Sequence, residues 1–93
     1  MAASHFAAMT SGTLSVDPGS ILDQQRGSIA VTLTGIAAGD LLVLEPPTTL
    51  HVGLAYAGFR ITANTVTIFL YNSSGGTLDD AALDWRYTWW DRT

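Results

Sequence analysis

Cysteine and lysine are both absent from this 93-residue chain. The lack of cysteine excludes disulfide bridges, thiol catalysis and cysteine-ligated zinc within the chain, and it fits a reducing or an oxidising compartment equally well. Without lysine, four arginines stand against eight acidic residues, so the formal net charge is −4. Such a surface lacks the basic patch that binds phosphates and is repelled by anionic lipids, so we expect neither nucleic acid nor membrane as a partner.

Long apolar runs and helical periodicity are also missing. No run approaches the roughly 18 apolar residues of a membrane span, and the opening MAASHFAAMT has no basic region typical of a signal peptide. No segment repeats apolar residues at helical spacing over three turns, so we expect no substantial helix. Charged residues make up only 13% of the chain, against about 25% in ordinary globular domains, which leaves a largely neutral surface.

Alternation of apolar and polar residues predicts strands from residue 11 onward. Pro46 and Pro47 end one of these strands because proline cannot donate to a ladder. Asn64 suits the tight turn of a hairpin. The predicted strands with the strongest signals are residues 27–35, 40–47, 54–62, 65–72 and 84–90. The spacing predicts an all-β fold, either an antiparallel β-sandwich or a small Greek-key barrel of six to seven strands.

The chain is long enough for one domain. Residues 1–10 lack periodicity and charge, so we expect an extended N-terminal arm there and a single β-sandwich domain over residues 11–93. The segment TLDDAAL, residues 77–83, offers at most one helical turn through its Thr77-x-x-Asp80 pattern.

Residues suited to catalysis are few. His5 and His51 lie far apart, and neither belongs to a G-x-S-x-G or H-E-x-x-H motif. The acidic residues Asp79, Asp80 and Asp84 do not have the spacing of a calcium-binding loop. The sequence therefore predicts a protein that is not an enzyme, with no metal ion and no cofactor.

The aromatic residues are the most informative group. Strand alternation places Trp85 and Trp89 on one face of the last strand and Trp90 on the other. In TVTIFLYN, Phe69 and Tyr71 point away from the inward set, which we take as Val66, Ile68 and Leu70. Trp90 and the Phe69–Tyr71 pair are candidates for one shared exposed patch. Self-association, a sugar-stacking platform and coverage by the N-terminal arm each explain such a patch.

The order of several motifs is distinctive. They are an alternating strand in residues 27–35, a G-x-x-x-G-D turn from Gly35 to Asp40, the strand that ends in Pro-Pro, a hairpin that returns at Asn64-Thr65-Val66, the Asn72 to Gly75 loop, and Trp85-x-Tyr87. Over residues 27–88 this order resembles a group of short β-sandwich virion structural proteins of tailed bacteriophages, of the head-decoration or cement type.

The resemblance implies a non-catalytic decoration protein that binds the outer head surface and stabilises the capsid through contacts between subunits. It implies the major capsid protein and identical copies, as a homotrimer, for partners, and a location on the outer surface of the virion capsid. Phe69, Tyr71 and Trp90, with His5, Phe6 and Met9 of the arm, are the expected subunit or capsid interface. The alternative is a glycan- or receptor-binding module of a phage tail fibre or spike, which uses the same aromatics for host sugars.

Overall fold

The fold consists of antiparallel strands. A computed structural model describes residues 6–92, with side chains from residue 9 to residue 91, and this part of the chain contains eight strands and no helix. In chain order the strands are β1 Phe6–Val16, β2 Gly19–Ile21, β3 Arg26–Thr32, β4 Leu41–Glu45, β5 Leu54–Thr62, β6 Thr65–Asn72, β7 Leu78–Asp80 and β8 Leu83–Arg92. The predicted all-β class is confirmed.

Two three-stranded sheets pack face to face as a small sandwich. The front sheet has the order β1-β8-β4 and the back sheet the order β3-β6-β5, while β2 and β7 form a separate pair. Their inner faces share one apolar core, because the buried residues come from both sheets, from β2 and from the β3–β4 loop. The core residues are Leu14, Val16, Ile21, Leu33, Ile36, Leu42, Leu44, Leu54, Val66, Ile68, Leu70 and Trp85. The predicted inward set of β6 is part of this core.

Strands β1 and β2 run antiparallel to β8 and β7 in a single continuous register. Ala8 lies opposite Asp91, Val16 opposite Leu83, and Ile21 opposite Leu78, so the residue numbers of each pair add to the same sum. The ladder is interrupted at Pro18, which has no backbone N–H to donate. At about 3.3 Å per residue, residues 8–21 form a ribbon roughly 45 Å long, comparable with the 49 Å length of the molecule.

The structure differs from the expected arm in residues 6–10. These residues begin β1 and pair with the end of β8, for instance Met9 opposite Trp90. Their sequence shows no alternation because an edge strand can be held by backbone hydrogen bonds to its neighbour without burying one face. Residues 1–5 of the expected arm lie outside the described residues. The segment TLDDAAL, for which the sequence allowed at most one helical turn, contains β7 at Leu78–Asp80 instead.

The β5–β6 hairpin follows the sequence prediction and adds a bulge. Asn64 occupies the turn with φ of 57°, and its side-chain oxygen accepts the Gly35 N–H at 2.7 Å. In β5 the register shifts between Tyr56 and Gly58, where Gly58 has φ of 113°. The extra residue turns Phe59 inward, so the apolar residues on both sides of the bulge reach the same core.

Candidate functional site

The three tryptophans of β8 have three different environments. Trp85 is 1% exposed and belongs to the core. Trp89 is half-buried, and its indole N–H donates to a carboxylate oxygen of Asp40 at 3.0 Å. Trp90, one residue further, points to the outer face of the front sheet. The predicted division of Trp85 and Trp89 from Trp90 is confirmed by this arrangement.

Trp90 is the centre of an apolar row that crosses the front sheet. Its neighbours in the ladder are Met9 of β1 on one side and Leu41 of β4 on the other. Met9 is 63% exposed and Leu41 47% exposed, and Val43, one row along β4, is 53% exposed. Trp90 itself is half-buried. We call Met9, Leu41, Val43 and Trp90 the apolar row. Several exposed apolar side chains side by side on a small domain are typical of a binding surface.

The rest of this outer face is polar. Next to the apolar row, Ser11 and Thr88 face each other across the β1–β8 ladder with their hydroxyl oxygens 3.4 Å apart. Beyond them, Arg86 Nε lies 3.7 Å from Glu45 Oε1, and both side chains are mostly exposed, so this ion pair contributes little to stability. The hydroxyl groups and the ion pair line a shallow groove of about 380 Å³. The face therefore has an apolar end and a hydrogen-bonding end.

The outer face of the back sheet carries the other predicted aromatics. The Arg26 guanidinium carbon lies 4.7 Å from the centre of the Phe69 ring, and that of Arg60 lies 5.8 Å from it. Both cations are within the range of a cation–π contact, so the Phe69 ring is already in contact with charged groups of its own chain. Tyr71, in the next row toward the end of β6, remains exposed.

The expected shared patch of Trp90, Phe69 and Tyr71 is not present. Trp90 points outward from the front sheet, whereas Phe69 and Tyr71 point outward from the back sheet, on the opposite side of the sandwich. Alternation within a strand predicts which side chains point away from the core, but it does not predict which sheet the strand joins. The sequence therefore could not show that β6 and β8 belong to different sheets.

The structure places only one of the three arm residues of the expected interface in a described surface. His5 lies outside the described residues, and Phe6 begins β1 with its side chain outside the described set. Met9 lies beside Trp90 and joins the apolar row. Sequence reasoning missed Leu41 and Val43, because the run LLVLE is apolar on both faces and gives no sign of which residues face outward.

Titratable groups form no constellation for catalysis in the described part of the chain. His51 Nδ1 accepts the Gly53 N–H at 2.9 Å, which is a local turn contact. Burial raises the pKa of Tyr56 above its ordinary value. Among residues 6–92, no group of three or more His, Asp or Glu side chains is placed to hold a metal ion, and no helix is long and apolar enough to cross a membrane.

Comparisons with known proteins add no relative. No protein-family model matches the chain, and neither the curated proteins nor the solved structures contain a match. The class that the fold and the surface define is a small antiparallel β-sandwich with an apolar row on one outer face.

Proposed function

We propose that the protein is a head-decoration, or cement, protein of a tailed bacteriophage. It binds the major capsid protein on the outer surface of the head, carries out no catalysis, and stabilises the capsid through contacts repeated over many copies. The apolar row is the observation that carries this proposal, because three of its four side chains are exposed and no other described part of the chain covers them. The assignment to a phage virion is based on the order of motifs over residues 27–88, which resembles that of phage decoration proteins.

The position of the apolar row suits attachment to a broad protein surface. Met9, Trp90 and Leu41 come from three neighbouring strands of a rigid sheet, so they keep their relative places when a partner approaches. Each Å² of apolar surface that a partner covers contributes about 25 cal/mol of favourable binding free energy. Covering Met9, Leu41 and Val43 would therefore favour binding. Among the described side chains of this face, the ion pair of Arg86 and Glu45 lies at the end away from Met9 and Trp90, so it keeps its water when the apolar row is covered.

A glycan- or receptor-binding module of a tail fibre or spike is the second candidate function. The groove beside the apolar row favours it, because hydroxyl groups of Ser11, Thr13 and Thr88 and the charges of Arg86 and Glu45 line that groove. Sugar recognition combines an aromatic platform with hydrogen-bonding groups for the hydroxyls. Trp90 would be the platform in that case.

Analysis of virus particles tests the virion role. Particles produced from the genome that encodes the chain are purified, their proteins identified by mass spectrometry, and the protein located by antibody-gold electron microscopy. We expect labelling over the head surface. Labelling confined to the tail tip would support the glycan-binding candidate, and absence from the particles would reject both proposals.

A matched pair of substitutions tests the apolar row. Val43→Lys places a charge within the row, and Val52→Lys makes the same change at a loop residue that is 98% exposed. Heads that lack the protein are incubated with each variant and sedimented. We expect Val43→Lys to weaken head binding by about tenfold or more, equivalent to about 1.4 kcal/mol, while Val52→Lys binds as the unchanged protein does. Equal binding by the two variants would remove the apolar row from the interface.

A further inference from the structure

The four outer edges of the two sheets differ in how well they are protected against pairing with another strand. Each edge strand exposes unpaired backbone N–H and C=O groups, and proteins commonly block such edges with charges, prolines, bulges or short length. The β4 edge is five residues long and is followed by Pro46 and Pro47. The β5 edge contains a bulge and Arg60, and the β3 edge carries Arg26.

Strand β1 has few of these protections. It is eleven residues long, the longest strand described, and its sequence FAAMTSGTLSV contains no charged residue and no proline. Its only irregularity is a register shift near Ala8, close to its first residue. Within the described part of the chain, β8 is its one ladder partner, so the opposite edge of β1 is open.

We propose that this open edge pairs with the same edge of a second copy of the chain. Two antiparallel β1 strands related by a two-fold axis join two front sheets into one six-stranded sheet of order β4-β8-β1-β1-β8-β4. A two-fold contact needs only one kind of surface, which matches a chain with a single long unprotected edge. The absence of charge along β1 allows two chains of net charge −4 to approach there without like charges meeting.

The number of hydrogen bonds formed is adequate for a stable interface. An antiparallel ladder forms on average about one backbone hydrogen bond per residue of one strand, so full overlap of β1 gives about ten bonds. A typical protein interface contains about ten direct hydrogen bonds. Full overlap requires the central residue of Phe6–Val16, which is Ser11, to lie opposite Ser11 of the second copy. Met9 then lies opposite Thr13 of the second copy, and the two apolar rows share one continuous outer face.

This contact is independent of the virion role, and the mass of the purified protein in solution tests it first. Light scattering over a wide range of concentration is expected to give twice the 9.9 kDa chain mass. A monomer at all concentrations would overturn the proposal. A trimer would also overturn it, and would support the homotrimer that the resemblance implies.

Ser11→Lys tests the position of the two-fold axis. The substitution places two ammonium groups opposite each other at a pairing distance of about 5 Å, which opposes association. The matched control is Ser28→Lys in β3, because Ser28 is also an exposed serine on an edge strand. We expect the dissociation constant of the dimer to rise about tenfold or more for Ser11→Lys and to stay unchanged for Ser28→Lys. Equal effects of the two changes would overturn the proposed edge.

Charge reversal across the axis provides the decisive comparison. Ser11→Asp alone is expected to dimerise more weakly than the unchanged protein for the same reason as Ser11→Lys, but an equimolar mixture of the two variants should form a one-to-one heterodimer at concentrations where each alone is monomeric. Only a residue that faces its own counterpart gives this result. Circular dichroism on each variant checks that it is folded, and a mixture of folded variants that stays monomeric would refute the register with Ser11 at the centre.

Discussion

The ring of Tyr56 meets the indole of Trp85 edge-on across the sandwich, with ring centres 5.3 Å apart and ring planes at 81°. Tyr56 belongs to β5 of the back sheet and Trp85 to β8 of the front sheet, so this contact joins the two layers directly. Edge-to-face pairs of this geometry contribute about 0.5–1.5 kcal/mol beyond the area that they bury. The contact places the largest core side chain of the front sheet against an aromatic partner of the back sheet.

The first prediction compares two tryptophans of the same strand. Trp85→Ala removes a fully buried side chain and leaves a cavity, so the free energy of unfolding should fall by about 3–5 kcal/mol. Trp90→Ala, at a half-buried side chain on the outer face, should lower it less, by about 1–2 kcal/mol. Urea unfolding followed by far-ultraviolet circular dichroism measures both. Similar losses for the two variants would contradict the division of β8 into a core face and an outer face.

The second prediction concerns alkaline pH. Burial raises the pKa of Tyr56 above its ordinary value of about 10, so the unfolded chain loses this proton at a lower pH than the folded chain does. The contribution of Tyr56 to stability is therefore complete below about pH 10 and is lost as the pH rises through the folded-state pKa. Urea midpoints measured at neutral pH and above pH 10 should show a smaller decline for Tyr56→Phe than for the unchanged protein. An identical decline would exclude Tyr56 as its source.

The third prediction concerns the buried Asn72 at the end of β6. Its side-chain amide donates to the carbonyl oxygens of Ile21 and Gly76, each at 2.8 Å, and its oxygen accepts the Ser74 N–H at 2.9 Å. Asn72→Ala leaves the carbonyl of the buried Ile21 without this donor, whereas the Gly76 carbonyl still accepts the Ser74 hydroxyl at 2.9 Å. We expect a loss of roughly 1–3 kcal/mol, the usual cost of one unpaired buried group. The adjacent exposed Ser73→Ala should be nearly neutral. Thermal unfolding of the two variants makes the comparison, and a neutral Asn72→Ala would mean that other groups replace the amide.

The fourth prediction separates backbone strain from steric contact. A Cβ atom added at Gly58 meets nothing within 4 Å, so only its φ of 113° opposes a side chain there. Gly58→Ala should cost about 1–3 kcal/mol, the usual range for a residue held in a sparsely populated region. Gly76→Ala is the control, since that site is equally open and has no such φ. Chemical unfolding that gave equal stability for the two variants would mean that the β5 bulge rearranges freely.

Features set by neighbouring residues could be predicted from the sequence, and features set by distant ones could not. The inward set of β6 and the Asn64 turn follow from alternation and turn chemistry within a few residues. The pairing of β1 with β8 joins distant residues of the chain, and the first part of β1, residues 6–10, has no alternation that would predict a strand. The bulge could have been predicted from the sequence of β5. The apolar residues Leu54 and Tyr56 stand at even positions and Phe59 and Ile61 at odd ones, so one extra residue is needed for all four to face the core.

The candidate site was predicted in part for the same reason. The outward direction of Trp90 is a local property of β8, and the structure confirms it. Its neighbours Met9 and Leu41 depend on the order β1-β8-β4, which no local pattern contains. Phe69 also points outward as predicted, yet its contact with Arg60 depends on the pairing of β5 with β6 in the bulged register.

The continuous ribbon has a consequence for the time course of folding. During synthesis β1 emerges before the rest of the sandwich, but its ladder partner β8 is the last of the eight described strands to leave the ribosome. The β5–β6 hairpin can close early because its strands are adjacent in sequence, whereas the β1–β8 ladder requires a long loop to close and so forms late. For most of that interval β1 has two open edges instead of one. In this state β1 can pair with the β8 of another nascent chain on the same messenger RNA. The strand that forms most of the long ribbon is therefore also the one most prone to be swapped between copies.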